Sequence, residues 1–432
     1  MDKISRYLFI LLGIILFLII APLIVLYVSG TSLDLNNRDY RPTGILTAKT
    51  QPENALVSIN GGQPEKTPAT IRFLPQAEYT VRITKEDYFD WTKRLLVEPS
   101  RVTYAHEGVE ALYLIKQPKP IVITPAGVTT VFMQDNTIWY GTDNALIETS
   151  LGDYEKKQSF ALPFTPRSIT TIRSSDYLLI ENEARRKLLF HRGTKVVSAL
   201  PDTFNAGTDF HLDTSGQLLL RIDTNLFAYN LQSKTSRQTL TNVVGFALLG
   251  TTAYLAHQDN GTTTLQAADW NGTEFTNSEP LLTSPLPNAN NIQLIITDHK
   301  ELFALAGGIL YRVNSQLEMI SAHVSSINID YRASNLTFKT ASELWFYNFI
   351  HSRPQLLTRS TSTVTSFSLN AQIGYGLIGT DAGLQMLEID SRDNQNRYSL
   401  LSGKPVWAVF LSNNLKTLCV LEDSTLVLIP IQ

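Results

Sequence analysis

Residues 376–393 read GLIGTDAGLQMLEIDSRD, and the reading of this segment decides the fold. One apolar run meets a short polar turn, and a second apolar run follows. Short apolar runs bounded by turn residues are strands, and so brief a turn makes the pair a hairpin. The same grammar recurs in TIWYGTDNALIETSLGD (137–153), LLLRIDTNLFAYNLQSK (218–234), LFALAGGILYRVNSQ (302–316), LTFKTASELWFYNFIHS (336–352) and LCVLEDSTLVLIPIQ (418–432). Stacked on the start of the second strand, the hairpins align Leu146, Leu226, Ile309, Leu344, Leu384 and Leu426, with weaker matches at Leu188 and Leu265. Neighbours are 35 to 44 residues apart, close to the period of four-stranded propeller blades, about 40–45 residues.

Outward from the hairpins, further strands complete the units. A preceding strand stands in VTTVFM, DFHLDTSGQ, INIDYRAS, VTSFSLN and WAVFLSN, and a trailing one in KQSFALP, RQTLTNV and PQLLTRS. Eight units fit residues 117–432, or seven if one weak unit is an insertion. The unit from Trp407 has no room for a fourth strand, and PKPIVITP (118–125) is expected to supply it. Such closure removes free sheet edges. Two β-sandwiches are the rival architecture, which a fixed period disfavours. One blade cannot cover both of its faces, so stability is collective. The run LTRSTSTVTSFSLNAQ (357–372) resembles the blades of WD40-like and TolB-like propellers, in architecture only, since Gly-His and Trp-Asp signatures are missing.

A smaller module precedes the repeat, at 45–116. In ALVSINGG, Val57 and Ile59 alternate with Leu56, Ser58 and Asn60, and in YTVRITK Val81 and Ile83 face inward with Arg82 outward. Period two marks half-buried strands. Asn60-Gly61 suits the positive φ of a tight hairpin, while Pro52, Pro64, Pro68 and Pro75 cut the chain into short strands. The expectation is an antiparallel β-sandwich, with Tyr79, Tyr88 and Trp91 carrying much of its core. QPENALVSINGG (51–62) and KTPATIRFLPQAEYTVRITKEDYFDW (66–91) resemble a PEGA domain. Pro52-Glu53-Asn54-Ala55 stands for the family's Pro-Glu-Gly-Ala, with Thr67-Pro68, Tyr79 and Asp87-Tyr88 at its later marks. Asn54, Lys66, Ala77 and Asp87 replace glycines, and Asn and Asp tolerate left-handed backbone best. The resemblance implies an exported or surface-attached protein, no catalytic residues and an interaction role in the cell envelope.

Ahead of the module lies YLFILLGIILFLIIAPLIVLYV, Tyr7 to Val28, without a charge. A helix of that length spans roughly 30 Å, the thickness of a bilayer core. A transmembrane anchor at 7–28 is expected, followed by a linker at 29–44. The apolar region of a cleaved signal peptide is shorter, about 7–15 residues. Lys3 and Arg6 precede the run, which places residues 1–6 in the cytoplasm and the chain from about 29 onward outside.

Chemistry is sparse. The net charge of −3 and pI near 6.2 argue against nucleic acid, whose binders neutralise phosphates. Cys419 is the single cysteine, so an internal disulfide and paired-cysteine metal sites are excluded. The seven histidines, His106, His191, His211, His257, His299, His323 and His351, have no metal-ligand spacing. Asp259-Asn260-Gly261 and Asn271-Gly272 read as hairpin turns, and the GTD triplets at 141–143, 207–209 and 379–381 as turn residues. Trp345, Tyr347 and Trp407 suit core packing better than a carbohydrate or peptide surface. No catalytic, cofactor or metal residue is assigned. The leading expectation is an all-β, non-enzymatic, membrane-anchored platform for envelope proteins or glycans. The alternative is a propeller hydrolase or lyase, with several of His191, His211, His257 and His299 meeting at the axis. The sensing half of a signalling system is a third, weaker one.

Overall fold

Alternating apolar residues separated by tight turns leave each segment no way to bury its side chains except against a neighbouring sheet. The computed structural model describes residues 3–28, 31–34, 39–124, 126–173, 175–282, 285–287, 289, 291–297, 300–330, 335–348 and 353–432. It contains eight four-stranded antiparallel sheets arranged as propeller blades. Blades 1 to 7 each use four consecutive strands and begin at Thr130, Ser168, Thr208, Val243, Ile292, Ser326 and Val364. Blade 8 takes Val406–Leu411, Thr417–Glu422 and Thr425–Pro430, and its fourth strand is Ile121–Thr124, from before blade 1. The expected closure is therefore present, with Ile121 opposite Leu428.

Burial explains the period. Leu146, Leu226, Leu344, Leu384 and Leu426 lie in the third strands of their blades at 0–1% exposure, with Leu188 at 4% and Leu265 at 1%. In blade 5 the buried position is Leu310, at 0%, one residue beyond the expected Ile309. Each pair of adjacent blades shares an apolar cluster, and the last joins Cys419, Leu421 and Leu428 of blade 8 to Val131, Ile138 and Tyr140 of blade 1. The ring thus closes through side chains as well as backbone.

In two of the GTD triplets the aspartates, Asp143 and Asp381, do open the turns, but the glycines have a different cause. Gly141 and Gly379 sit on second strands, and neither has positive φ. A Cβ at Gly141 would collide with Pro166 and Thr130, and one at Gly379 with Ser366 and Val406. Both glycines let the next blade approach. The hydroxyl of Thr129 donates to the Pro166 carbonyl at 2.5 Å, and that of Thr365 to the Val406 carbonyl. The Asn260-Gly261 hairpin behaves as expected, with φ of 49° and 78°.

The module folds around Trp91, Val57, Val81, Ile83 and Val97, all at 0% exposure. Tyr79 and Tyr88 are only half-buried at its margin. One sheet is antiparallel, formed by Leu56–Ile59, Glu65–Lys66, Ala77–Thr84 and Trp91–Val97. The other includes a parallel pairing, Val102–Tyr104 along Asp39–Ala48, and Leu112–Tyr113 runs parallel to Thr50–Gln51. The module is therefore not antiparallel throughout. Strands Thr31–Asp34 and the first part of Asp39–Ala48 fall within residues 29–44. Asn54 and Asp87 adopt φ of 60° and 66°, so both stand where glycine's freedom is used, whereas Lys66 and Ala77 have no positive φ.

Helix α1 runs Lys3–Val28. Its side chains are described for Leu11–Pro22 and Ile24, and among the described residues no helix is long and apolar enough to cross a membrane. The described apolar side chains stand bare, Phe17 at 69% and Leu18 at 63% exposure.

Candidate functional site

The first strand of each blade packs beside the first strands of its neighbours and so is innermost. These strands run the same way along the axis, and their ends gather at one mouth of the ring. Where those of blades 6, 7, 8 and 1 end, the turns leave a cavity of about 330 Å³. Local sequence builds its rim. Asn370 closes the turn after its strand by accepting the backbone N–H groups of Gln372 and Ile373 at 3.0 and 3.2 Å. Ser412 does the same for Lys416 and Thr417 at 3.2 and 3.0 Å. Asn413 ties blade 8 to blade 1: its N–H donates to Asn136 at 3.1 Å and its side-chain amide to Asp135 at 3.0 Å. Asn328 donates to the Phe367 carbonyl at 3.2 Å, and Met133 and Phe410 form an apolar wall. Among the described residues, none lining this cavity carries a charge.

The same mouth is otherwise charged. Arg173, beyond the innermost strand of blade 2, reaches across the axis and donates to the Ile296 carbonyl of blade 5 at 2.5 Å. Beside it, Arg192 lies over the Trp139 ring and donates to Gln134, the Ser175 carbonyl and Asp176 at 2.9–3.2 Å. His211, on the innermost strand of blade 3, meets Phe246 edge-on at 4.9 Å. Burial, and then the Arg173 charge, push its imidazole down to about 4, so it is neutral near pH 7. His191 lies on the third strand of blade 2, His257 on the second strand of blade 4, and His299 outside the described residues. Among the described residues, no three His, Cys, Asp or Glu groups come together as metal ligands. Burial pushes the Cys419 thiol up to about 12, which leaves it protonated and unreactive.

Tyr347 lies in the interior, and Trp345 is half-buried against the same cluster, stacked parallel to Phe338 at 6.3 Å. Trp407 departs from the expectation of core packing: it is 53% exposed at a register shift in the innermost strand of blade 8. The axial cavity carries no signal in the sequence, because its walls come from four blades. The one local hint is the Asn or Ser that follows an innermost strand and closes its turn.

The family comparison covers the module. Residues 43–106 match the PEGA domain. No curated protein matches the chain. The ring is similar to the C-terminal WD40 domain of Sif2 at TM-score 0.53 and 12% identity, covering 74% of this chain and 99% of that one. It is also similar to the Dos1 propeller at TM-score 0.50 and 9% identity, covering 73% and 94%. At these identities the likeness is one of fold.

The PEGA domain is fastened to blade 7 by buried charges. Lys93, at 0% exposure, lies 3.2 Å from Glu388 and 3.1 Å from Asp390, and donates to the Asp390 carbonyl at 2.6 Å. The Trp91 indole donates to Glu388 at 2.9 Å, and Asn396 donates to its other oxygen at 2.8 Å. Outside this core, Arg94 holds Asp393 through its backbone and its guanidinium at 2.8 and 2.9 Å, and Arg392 pairs with Glu107 at 2.5 Å. Burial raises the Asp390 carboxyl, but the Arg392 hydrogen bonds and the Lys93 charge outweigh it, leaving the group below its ordinary value. Phe89 stacks on Tyr398 at 5.0 Å, and the Tyr375 hydroxyl donates to the Tyr113 carbonyl at 3.0 Å. A cleft of about 420 Å³ remains beside this seam, between His106–Val109 and the turns of blade 7.

Proposed function

We propose that this chain is a non-enzymatic, single-pass membrane-anchored protein of the cell envelope. Residues 7–28 sit in the bilayer with the N-terminus cytoplasmic, and the chain from about residue 29 is extracytoplasmic. The PEGA domain and propeller then form one platform that binds surface proteins or glycans. The observation that carries the reading is the seam. A fully buried lysine held by two carboxylates is a poor device for adding stability but a good one for fixing one arrangement, and a fixed arrangement suits a body that presents surfaces to partners. The bare apolar side chains of α1 support the anchor, since nothing in the described protein covers them and lipid would.

The test has two readouts. Membranes washed at alkaline pH are expected to retain the full-length chain, with an epitope beyond residue 432 open to protease from outside. Cross-linking in envelope fractions is expected to capture a protein or glycan. Release of the chain by the wash, protection of the epitope, or capture of nothing overturns the reading.

A further inference from the structure

We propose that the axial cavity at the ends of the innermost strands of blades 6, 7, 8 and 1 binds a neutral carbohydrate. The proposal rests on the binding-platform reading and names a ligand class for it. At about 330 Å³, the cavity falls at the lower end of ligand pockets, about 300–1,000 Å³, with room for a mono- or disaccharide. Its chemistry separates ligand classes. Among the described residues the lining is uncharged, in contrast to the cavity walled by Arg173, Asp176 and Arg192. A phosphate, carboxylate or ammonium entering it would lose hydration and gain no counter-charge from the described lining. A purely apolar ligand would leave its amides and hydroxyls unpaired.

The hydrogen-bonding capacity is partly unspent. Among the described residues, neither the Ser368 hydroxyl nor the Gln372 side-chain amide has a protein partner. Asn370 uses its oxygen on the backbone, which leaves its NH2 to donate. Asn328 uses its NH2 on Phe367, which leaves its oxygen to accept. Donors and acceptors therefore face an apolar wall of Met133 and Phe410. A sugar ring offers the complement, hydroxyls at its edge and C–H groups on its faces. An extended peptide fits less well, since the walls come from four blades and Arg173 crosses the axis beyond.

The experiment displays neutral oligosaccharides, acidic oligosaccharides and uncharged peptides on one array, probed with the full-length chain in a detergent without a sugar headgroup. Neutral glycans are expected to retain it. Gln372→Ala is expected to weaken retention roughly 2- to 10-fold, the loss of one hydrogen bond, and Ser368→Asp to abolish it. Thermal unfolding of each variant reports folding. Should Ser368→Asp fail to fold, Gln372→Ala on its exposed turn carries the test. A blank glycan panel, retention by acidic glycans or peptides alone, or unchanged binding by both variants overturns the proposal. If the glycan panel is blank while envelope cross-linking still captures a protein, the platform reading stands and this one falls.

Discussion

Three residues carry sharp consequences. Lys93 neutralises the buried carboxylate of Glu388 and shares the partly buried one of Asp390 with Arg392. Lys93→Ala is therefore expected to cost about 3–5 kcal/mol, the penalty for stranding buried charge, whereas apolar replacement of all three should cost far less. Denaturant midpoints read through tryptophan fluorescence check both. Gly379 admits the next blade, and Gly379→Ala drives a methyl into Val406 and Ser366. The expected loss is about 1–3 kcal/mol from overpacking, measured the same way. His211 adds a pH dependence. Its imidazole is lowered to about 4 from 6.5 in the fold, so below pH 6.5 the unfolded chain takes the proton more readily. Stability from this group is complete above that value and is lost as the pH falls toward 4. Melting temperatures over this window should fall for the wild type and fall less for His211→Gln. The sequence exposes none of these roles, because each depends on residues of other strands that only the fold brings alongside.

At the scale of elements the reverse holds. The spacing of Leu146, Leu226, Leu344, Leu384 and Leu426 was legible because every blade buries its third strand against its neighbour in the same way. Leu384→Ala is expected to cost about 2–5 kcal/mol, and the same change at exposed Leu56, which has no neighbouring blade to fill, far less. The closing strand was legible as well, since a unit lacking a fourth strand and a β-branched segment lacking a sheet answer each other. Parallel pairing within the PEGA domain was not, because alternation reports which face is buried and is silent on strand direction. The axial cavity was invisible for a related reason: Asn328, Ser368, Gln372 and Asn413 are ordinary turn and strand residues until the ring brings them together.

For the whole molecule, the seam joins two bodies that would otherwise hinge. The wild-type PEGA domain and propeller are expected to unfold in one calorimetric transition. Lys93→Glu, which sets three carboxylates together, should split it in two, with the PEGA domain melting first. The ring has a further consequence for its own synthesis. Ile121–Thr124 is made early, yet its partner Thr425–Pro430 follows roughly 300 residues later. At about 5–20 residues per second, this β-branched segment waits tens of seconds as an open invitation to other chains. Pro118, Lys119 and Pro120 stand directly before it, the residue types that discourage stray pairing. A nascent polypeptide so guarded can postpone its last zipper until the correct strand arrives.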